Sequence, residues 1–515
     1  MRAQTVLAVC AALVGLSARG ADASLGMDRT KFHIGGAFLR KSVMNDAMVA
    51  DFAASGCDLA VIADNVAEGH ELMRRHGLGC IVSGVLPGSI LWPRNWLQVS
   101  PEDYTESKRT NFVENAGIWG IDIADEPCIP HLEKLGELIE HFETLFTNRF
   151  PFVNLLPTYV SESALGGTYA EYLEEYCACC PTLDYISFDH YCYSVSIAGF
   201  YRNLALVADC CSRKGRSMWN YLQSGVEPDH GDQPLNLDQF RFQAFAAMAF
   251  GSEAIFWACY MPGWWNFLPV TSTGEKTVSY DRMRTANGEI RALAEEYMRF
   301  ARSETHFVGF SSKDGLPSLD KDALKTVKVS DAVTWGGLRE IRATDGGPLL
   351  VTCLQSRGND WEKGVFVFAA DDPYGVGPKE RTVSFTVSED ALPETRCLTV
   401  LCSRGAQSVT RGAKGTRTVR LQSNEAALVF FGRPTRLSSS VAESSPFGGF
   451  DAWWRMSAVS GMGFLALTAA GGIPCTEESA AELAVPFDNQ WRDRVVSPGV
   501  DELTNEANGF FIWLR

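Results

Sequence analysis

The sequence predicts a (β/α)8 TIM barrel followed by a smaller all-β, sandwich-like domain. Over residues 24–303, eight short apolar runs alternate with helical patterns and a last helix closes the series. Beyond about residue 304 the helical periodicity fades into short strands separated by Gly, Pro, Asp and Asn turns. The first run lacks the glycine-rich phosphate turn of an open doubly wound sheet, since Gly35-Gly36-Ala37 does not fit G-x-G-x-x-G. Parallel strands covered on both faces read as unbroken apolar runs, and eight strand–helix repeats in order make a barrel.

The predicted strands are Phe32–Phe38, Leu59–Ala63, Cys80–Gly84, Ile118–Ala124, Phe152–Leu156, Tyr185–Phe188, Ser217–Leu222 and Ala254–Cys259. Between them, Met44–Ala54, Val66–His76, Ile129–Phe150 and Phe200–Lys214 carry helical spacing, and Asn287–Phe300 ends the barrel. In residues 304–434 the strands are Leu349–Leu354, Gly364–Ala369, Thr382–Val387, Cys397–Leu401 and Ala426–Phe431. Residues 435–515 turn Ser/Gly-rich and read as a tail with short elements. Within the tail, Met456–Ile473 is apolar but broken by glycines, so a membrane span there is the lesser reading.

The chain has 515 residues, 46% of them hydrophobic, and a formal net charge of −16. That excludes a disordered chain and disfavours a nucleic-acid partner, which needs a basic face. Arg2, the apolar run Thr5–Leu16 and Ala21-Asp22-Ala23 read as a secretory signal over residues 1–23, too short to span a membrane. The expectation is a secreted or periplasmic protein without stable membrane insertion. Export permits disulfides, and the groups Cys177, Cys179, Cys180 and Cys210, Cys211 flank one predicted strand and the helix after it, placing a bridge between them within reach. These groups lack the paired C-x-x-C spacing of a zinc site, and neither a metal nor a cofactor is expected.

Functional residues of such barrels lie at the C-terminal ends of strands. Strand four ends Asp122-Ile123-Ala124-Asp125-Glu126-Pro127. Strict alternation puts Asp122, Ala124 and Glu126 on one face and Asp125 on the other. A Glu held between apolar walls has a raised pKa and suits a general acid, so Glu126 is the first candidate. A helix cap or rim ion pair is its structural alternative. Strand six ends Asp189-His190-Tyr191, a polar and aromatic set suited to a sugar; rim hydrogen bonding would explain Asp189 and His190 equally. Strand seven contributes Asn220 and Gln223, with Glu227 in the loop beyond. Strand eight and its loop offer Trp257, Tyr260 and Trp264 as platforms for pyranose rings, against core packing for Trp257.

With these residues assembled, the barrel, roughly residues 30–300, resembles the large (β/α)8 clan of glycoside hydrolases that includes β-galactosidase-like families. The resemblance rests on Asp125-Glu126-Pro127 where the clan has Asn-Glu-Pro, on the aromatic strand around Trp257, and on Asn287-Gly288-Glu289-Ile290 in the closing helix. It implies a carbohydrate substrate and Glu126 as acid/base. The sequence departs from the clan at strand seven, where Gln223 stands in place of the nucleophilic Glu. A Gln amide cannot form the glycosyl ester a carboxylate forms. Glu227 or Asp189 could supply the second carboxylate, substrate-assisted chemistry with Gln223 or Asp125 orienting the sugar could replace it, or the barrel could bind glycan without cleaving it. A chitinase-like D-x-D-x-E pattern fails at Ala124, a Cys192 nucleophile ranks lower still, and no G-x-S-x-G elbow supports an esterase. The expectation is a glycoside hydrolase with Glu126, Asp189 and Glu227 as catalytic candidates. Asp125, His190, Tyr191, Asn220, Gln223, Trp257, Tyr260 and Trp264 are the candidates for substrate binding.

Overall fold

The computed structural model describes residues 26–40, 44–62, 67–83, 117–146, 149–261, 265–310, 327–377, 379–388, 398–405, 409–411 and 415–431, with backbone strands further on. Eight parallel strands close a barrel: β1 His33–Leu39, β2 Leu59–Ile62, β3 Gly79–Val82, β4 Ile118–Asp125, β5 Phe150–Leu155, β6 Tyr185–Asp189, β7 Ser217–Gln223 and β8 Ser252–Ala258. Closure is made by β8 against β1, with His33 opposite Ala254 and Gly36 opposite Trp257. The helices are α1 Asp46–Ala54, α2 Ala67–Arg75, α3 Ile129–Leu145, α4 Glu162–Leu165, α5 Tyr169–Cys179, α6 Ile197–Lys214, α7 Leu237–Ala249 and α8 Val278–Tyr297. The eight predicted strands match these within a few residues. The predicted signal, residues 1–23, lies outside the described residues.

Aromatic rings fill the lower barrel. Tyr185 and Trp219 stack at 4.0 Å between centroids, Tyr221 and Phe256 at 4.7 Å, and Phe152 touches both pairs. The Arg29 guanidinium caps the N-terminal end, 4.4 Å from the Trp219 ring and 4.7 Å from that of Phe150. Rings this large need bare backbone opposite. A Cβ on Gly35 would lie 2.2 Å from Phe256 Cδ1, and one on Gly79 1.9 Å from Trp119 Cδ2. Glycine in these strands is therefore a packing residue.

From Phe300 the chain forms two sheets, one of ten strands and one of five. Side chains of the larger sheet alternate between two cores. Val365 and Val367 face the smaller sheet, while Phe366 and Phe368 join the barrel core. Phe368 meets Phe242 and Phe245 of α7, and Phe366 meets Tyr297 of α8. The second domain is thus bonded to the barrel by a continuous apolar layer. In the predicted tail, Trp453–Val459 and Met462–Ala469 pair as an antiparallel hairpin extending the larger sheet, so Met456–Ile473 lies largely in strands. Among the described residues no helix is long and apolar enough to cross a membrane.

Gly35→Ala is expected to destabilise the chain by about 1–3 kcal/mol, because the added methyl displaces the Phe256 ring from its stack on Tyr221. A melting temperature equal to that of the unchanged protein would contradict this packing.

Candidate active site

The decisive local feature is a register shift in β4. Asp122 pairs with Phe152 of β5, but Ala124, not Ile123, pairs with Val153. One extra residue is absorbed, as in a β-bulge, and every side chain after it changes face. Asp125 therefore stands beside Asn154 of β5 and points into the barrel mouth with Asp122, correcting the strict alternation expected from sequence. Glu126 follows with φ of 52°, a left-handed conformation uncommon for a residue with a side chain. Its N–H is held by the Asn154 carbonyl at 2.8 Å.

Asn154 also bridges the carboxyls. Its Nδ2 donates to Asp189 Oδ1 at 3.2 Å and faces Asp125 Oδ1 at 3.4 Å, while its Oδ1 accepts from Ser187 Oγ at 3.0 Å. Ser83 at the end of β3 donates to Asp122 Oδ2 at 2.9 Å. Strands three to six thus converge on one acidic cluster. Asn154 and Ser83 were not singled out in the sequence. A lone Asn near the end of an otherwise apolar strand is the signal that could have found the first.

Four carboxyls crowded in a low-dielectric mouth resist ionising together. Burial, then repulsion from Asp125, pushes Asp122 up to about 7. Burial pushes Asp125 up to about 6 against the hydrogen bond from Asn154. Glu126 is raised to about 7 by burial and by Asp125. Asp189 is raised well above the carboxylate range by burial, then by Glu126 and Asp125. Glu126 thus contributes to the shift of Asp189, whereas the shift of Glu126 itself comes from burial and Asp125. Among the described residues no Lys, Arg or His forms an ion pair with any of the four.

Other candidates fall into three groups. Tyr191 lies at the mouth, its ring 4.5 Å from that of Trp265 and its hydroxyl in the field of Asp189 and Asp125. Tyr159, missed in the sequence because it follows β5 in a turn, is 45% exposed and feels Asp189, Glu126 and Glu227. Glu227 sits on the same rim, half-buried and paired with His230 Nδ1 at 3.0 Å. Four residues are drawn away. The structure places Trp257 outside the barrel, where its Nε1 donates to Asn287 at 2.8 Å and its ring meets Phe240. Tyr260 packs on Phe52 of α1, Asn220 Nδ2 donates to the Phe188 carbonyl, and His190 Nδ1 meets Asn203 on α6 at 3.0 Å. Burial lowers His190 to about 4, leaving it neutral. Trp264 lies outside the described residues.

Gln223 is fully buried and committed. Its Oε1 accepts from the Tyr193 N–H at 3.2 Å, and its Nε2 donates to Ser194 Oγ at 3.1 Å and the Gly225 carbonyl at 3.0 Å. It ties the loops after β6 and β7 together. Tyr193 is held in turn by the second domain, donating to the Pro373 carbonyl at 2.6 Å. Among the described residues, the one group close enough to hold a metal is Glu304, His306 and Cys353, far along the chain in the second domain. There His306 holds Glu304 at 2.9 Å and Ser330 at 3.0 Å, and Lys328 pairs with the same carboxylate at 2.5 Å, so its donors are already engaged.

No protein-family model matches the chain, and no curated protein matches it. Solved structures similar to it include a glycoside hydrolase family 5 protein from Bacteroides vulgatus, at 10% identity and TM-score 0.44 over 78% of this chain and 89% of that one. A β-galactosidase from Bacillus circulans sp. alkalophilus is 9% identical with TM-score 0.44, over 79% of this chain and 100% of that one. A family 30 subfamily 8 xylanase from Clostridium acetobutylicum is 9% identical with TM-score 0.39, over 78% and 96%. At this distance the likeness assigns no activity to this chain.

The raised carboxyls make stability depend on pH. Unfolded, Asp and Glu release their protons near pH 4, whereas the native state keeps those of Asp122, Asp125 and Glu126 until pH 6–7. The native state therefore binds more protons over this window, and these groups lower stability as pH rises from about 4 to about 7. Asp122→Asn, which keeps an acceptor for Ser83, should raise the melting temperature at pH 8 and leave it little changed at pH 4. Equal shifts at both pH values would contradict the assignment.

Proposed function

We propose that this chain is a glycoside hydrolase in which Glu126 donates a proton to the leaving glycosidic oxygen and Asp189 is the second carboxyl. The observation that carries the reading is the Glu126–Asp189 pair. Two acids from the ends of β4 and β6 share the mouth with Asp125, and burial with repulsion from Asp125 raises both, Glu126 to about 7. A proton held to about 7 suits Glu126 as general acid, and Asp189, once it has given up its own proton, can attack or stabilise the anomeric carbon, or direct water to it. Tyr191 and the exposed Tyr159 offer apolar ring faces beside these acids. A mouth with this charge favours a neutral or basic glycan over an acidic one. Export and the carbohydrate partner belong to the same proposal.

A glycan-binding barrel without turnover is the second reading. It is favoured by Gln223, whose amide is spent on loop bonding at the place where the resemblance implies a nucleophile. A screen over aryl glycosides and polysaccharides separates the two. Glu126→Gln should cut turnover of substrates with poor leaving groups by about 10²–10⁴. It should slow an activated dinitrophenyl glycoside far less, because that leaving group needs no proton. Equal losses on both substrates would exclude Glu126 as the acid. Glycan binding with no hydrolysis of any substrate would favour the binding barrel.

A further inference from the structure

Five cysteines crowd the unit formed by α5, β6 and α6. Cys177 on α5 and Cys210 on α6 meet sulfur to sulfur at 3.7 Å, and both are buried. Two of their neighbours are turned elsewhere: Cys211 Sγ faces the Ser217 carbonyl at 3.6 Å and Cys179 Sγ faces Glu175 at 3.8 Å. Bringing two sulfurs from this contact to a bonded separation of about 2.05 Å takes a small side-chain rotation.

We infer that Cys177 and Cys210 form a structural disulfide that staples α5 to α6 around β6, the strand that ends in Asp189. The Cys177 thiolate attacks one sulfur of a disulfide oxidant such as oxidised glutathione, and one glutathione thiolate leaves. That thiolate takes the Cys210 proton. Cys210 then attacks the Cys177 sulfur of the mixed disulfide and expels the second glutathione thiolate. Two protein thiols become one disulfide, and one oxidant disulfide becomes two thiols. Because both sulfurs are buried in the folded chain, exchange belongs to the stage before α5 and α6 close.

The test is to refold the full chain in a glutathione redox buffer, alkylate free thiols and sequence the non-reduced peptides by tandem mass spectrometry. The expected product is a peptide pair 2 Da lighter than the two thiols, linked through Cys177 and Cys210. Cys179→Ser and Cys211→Ser should leave that link intact, while Cys177→Ser should abolish it. Cys177→Ser should also lower the melting temperature by about 5 °C or more relative to the oxidised protein, with no such gap once both are reduced. Complete alkylation of Cys177 and Cys210 in the refolded protein, or linkage through other cysteines instead, would overturn the inference. The mapping of the unsubstituted chain decides the matter even if a variant fails to fold.

Discussion

Carboxyl groups enclosed together must be neutralised by cations or hold protons. In this chain Asp122, Asp125, Glu126 and Asp189 are brought together at one barrel mouth, and among the described residues no Lys, Arg or His forms an ion pair with them. Protons and the hydrogen bonds from Asn154 and Ser83 do the neutralising. The charged state is unfavourable for folding, so the cluster lowers stability as it ionises.

The rest of the structure holds that cluster in place. Below it, Tyr185, Trp219, Phe152, Tyr221 and Phe256 fill the barrel and give the strands a fixed separation. Beside it, Gln223 joins the loops after β6 and β7. Behind those loops, the second domain reaches Tyr193 through Pro373 and Asn236, the cap of α7, through Tyr374. Asn236 and Gln239 form a reciprocal capping box there, so α7 starts at a position set by both domains. The second domain is best understood as a brace for the strand-six and strand-seven side of the mouth.

Much of this was legible in the sequence. Strands buried on both faces announce themselves as apolar runs, and the rule that function sits at strand ends pointed to Glu126, Asp125, Asp189 and Tyr191. What stayed hidden has physical causes. A bulge leaves no mark in hydrophobicity, so the position of Asp125 beside Asn154 could not be read. In β8 both faces are apolar, so composition could not say that Phe256 points inward and Trp257 outward. Trp257, expected as a platform for a sugar ring, packs under α7 instead. Tyr193 meets Tyr374 across domains, a contact no local pattern encodes.

The central claim is that burial and the neighbouring Asp125 keep a proton on Glu126 near neutral pH. A carboxyl-resolved titration by 13C NMR, comparing the unchanged chain with Asp125→Asn, tests it most directly. Glu126 is expected to titrate near 7 in the unchanged chain and to move toward the ordinary glutamate range when Asp125 loses its charge. A Glu126 that titrates between about 4 and 5 in both proteins would contradict it.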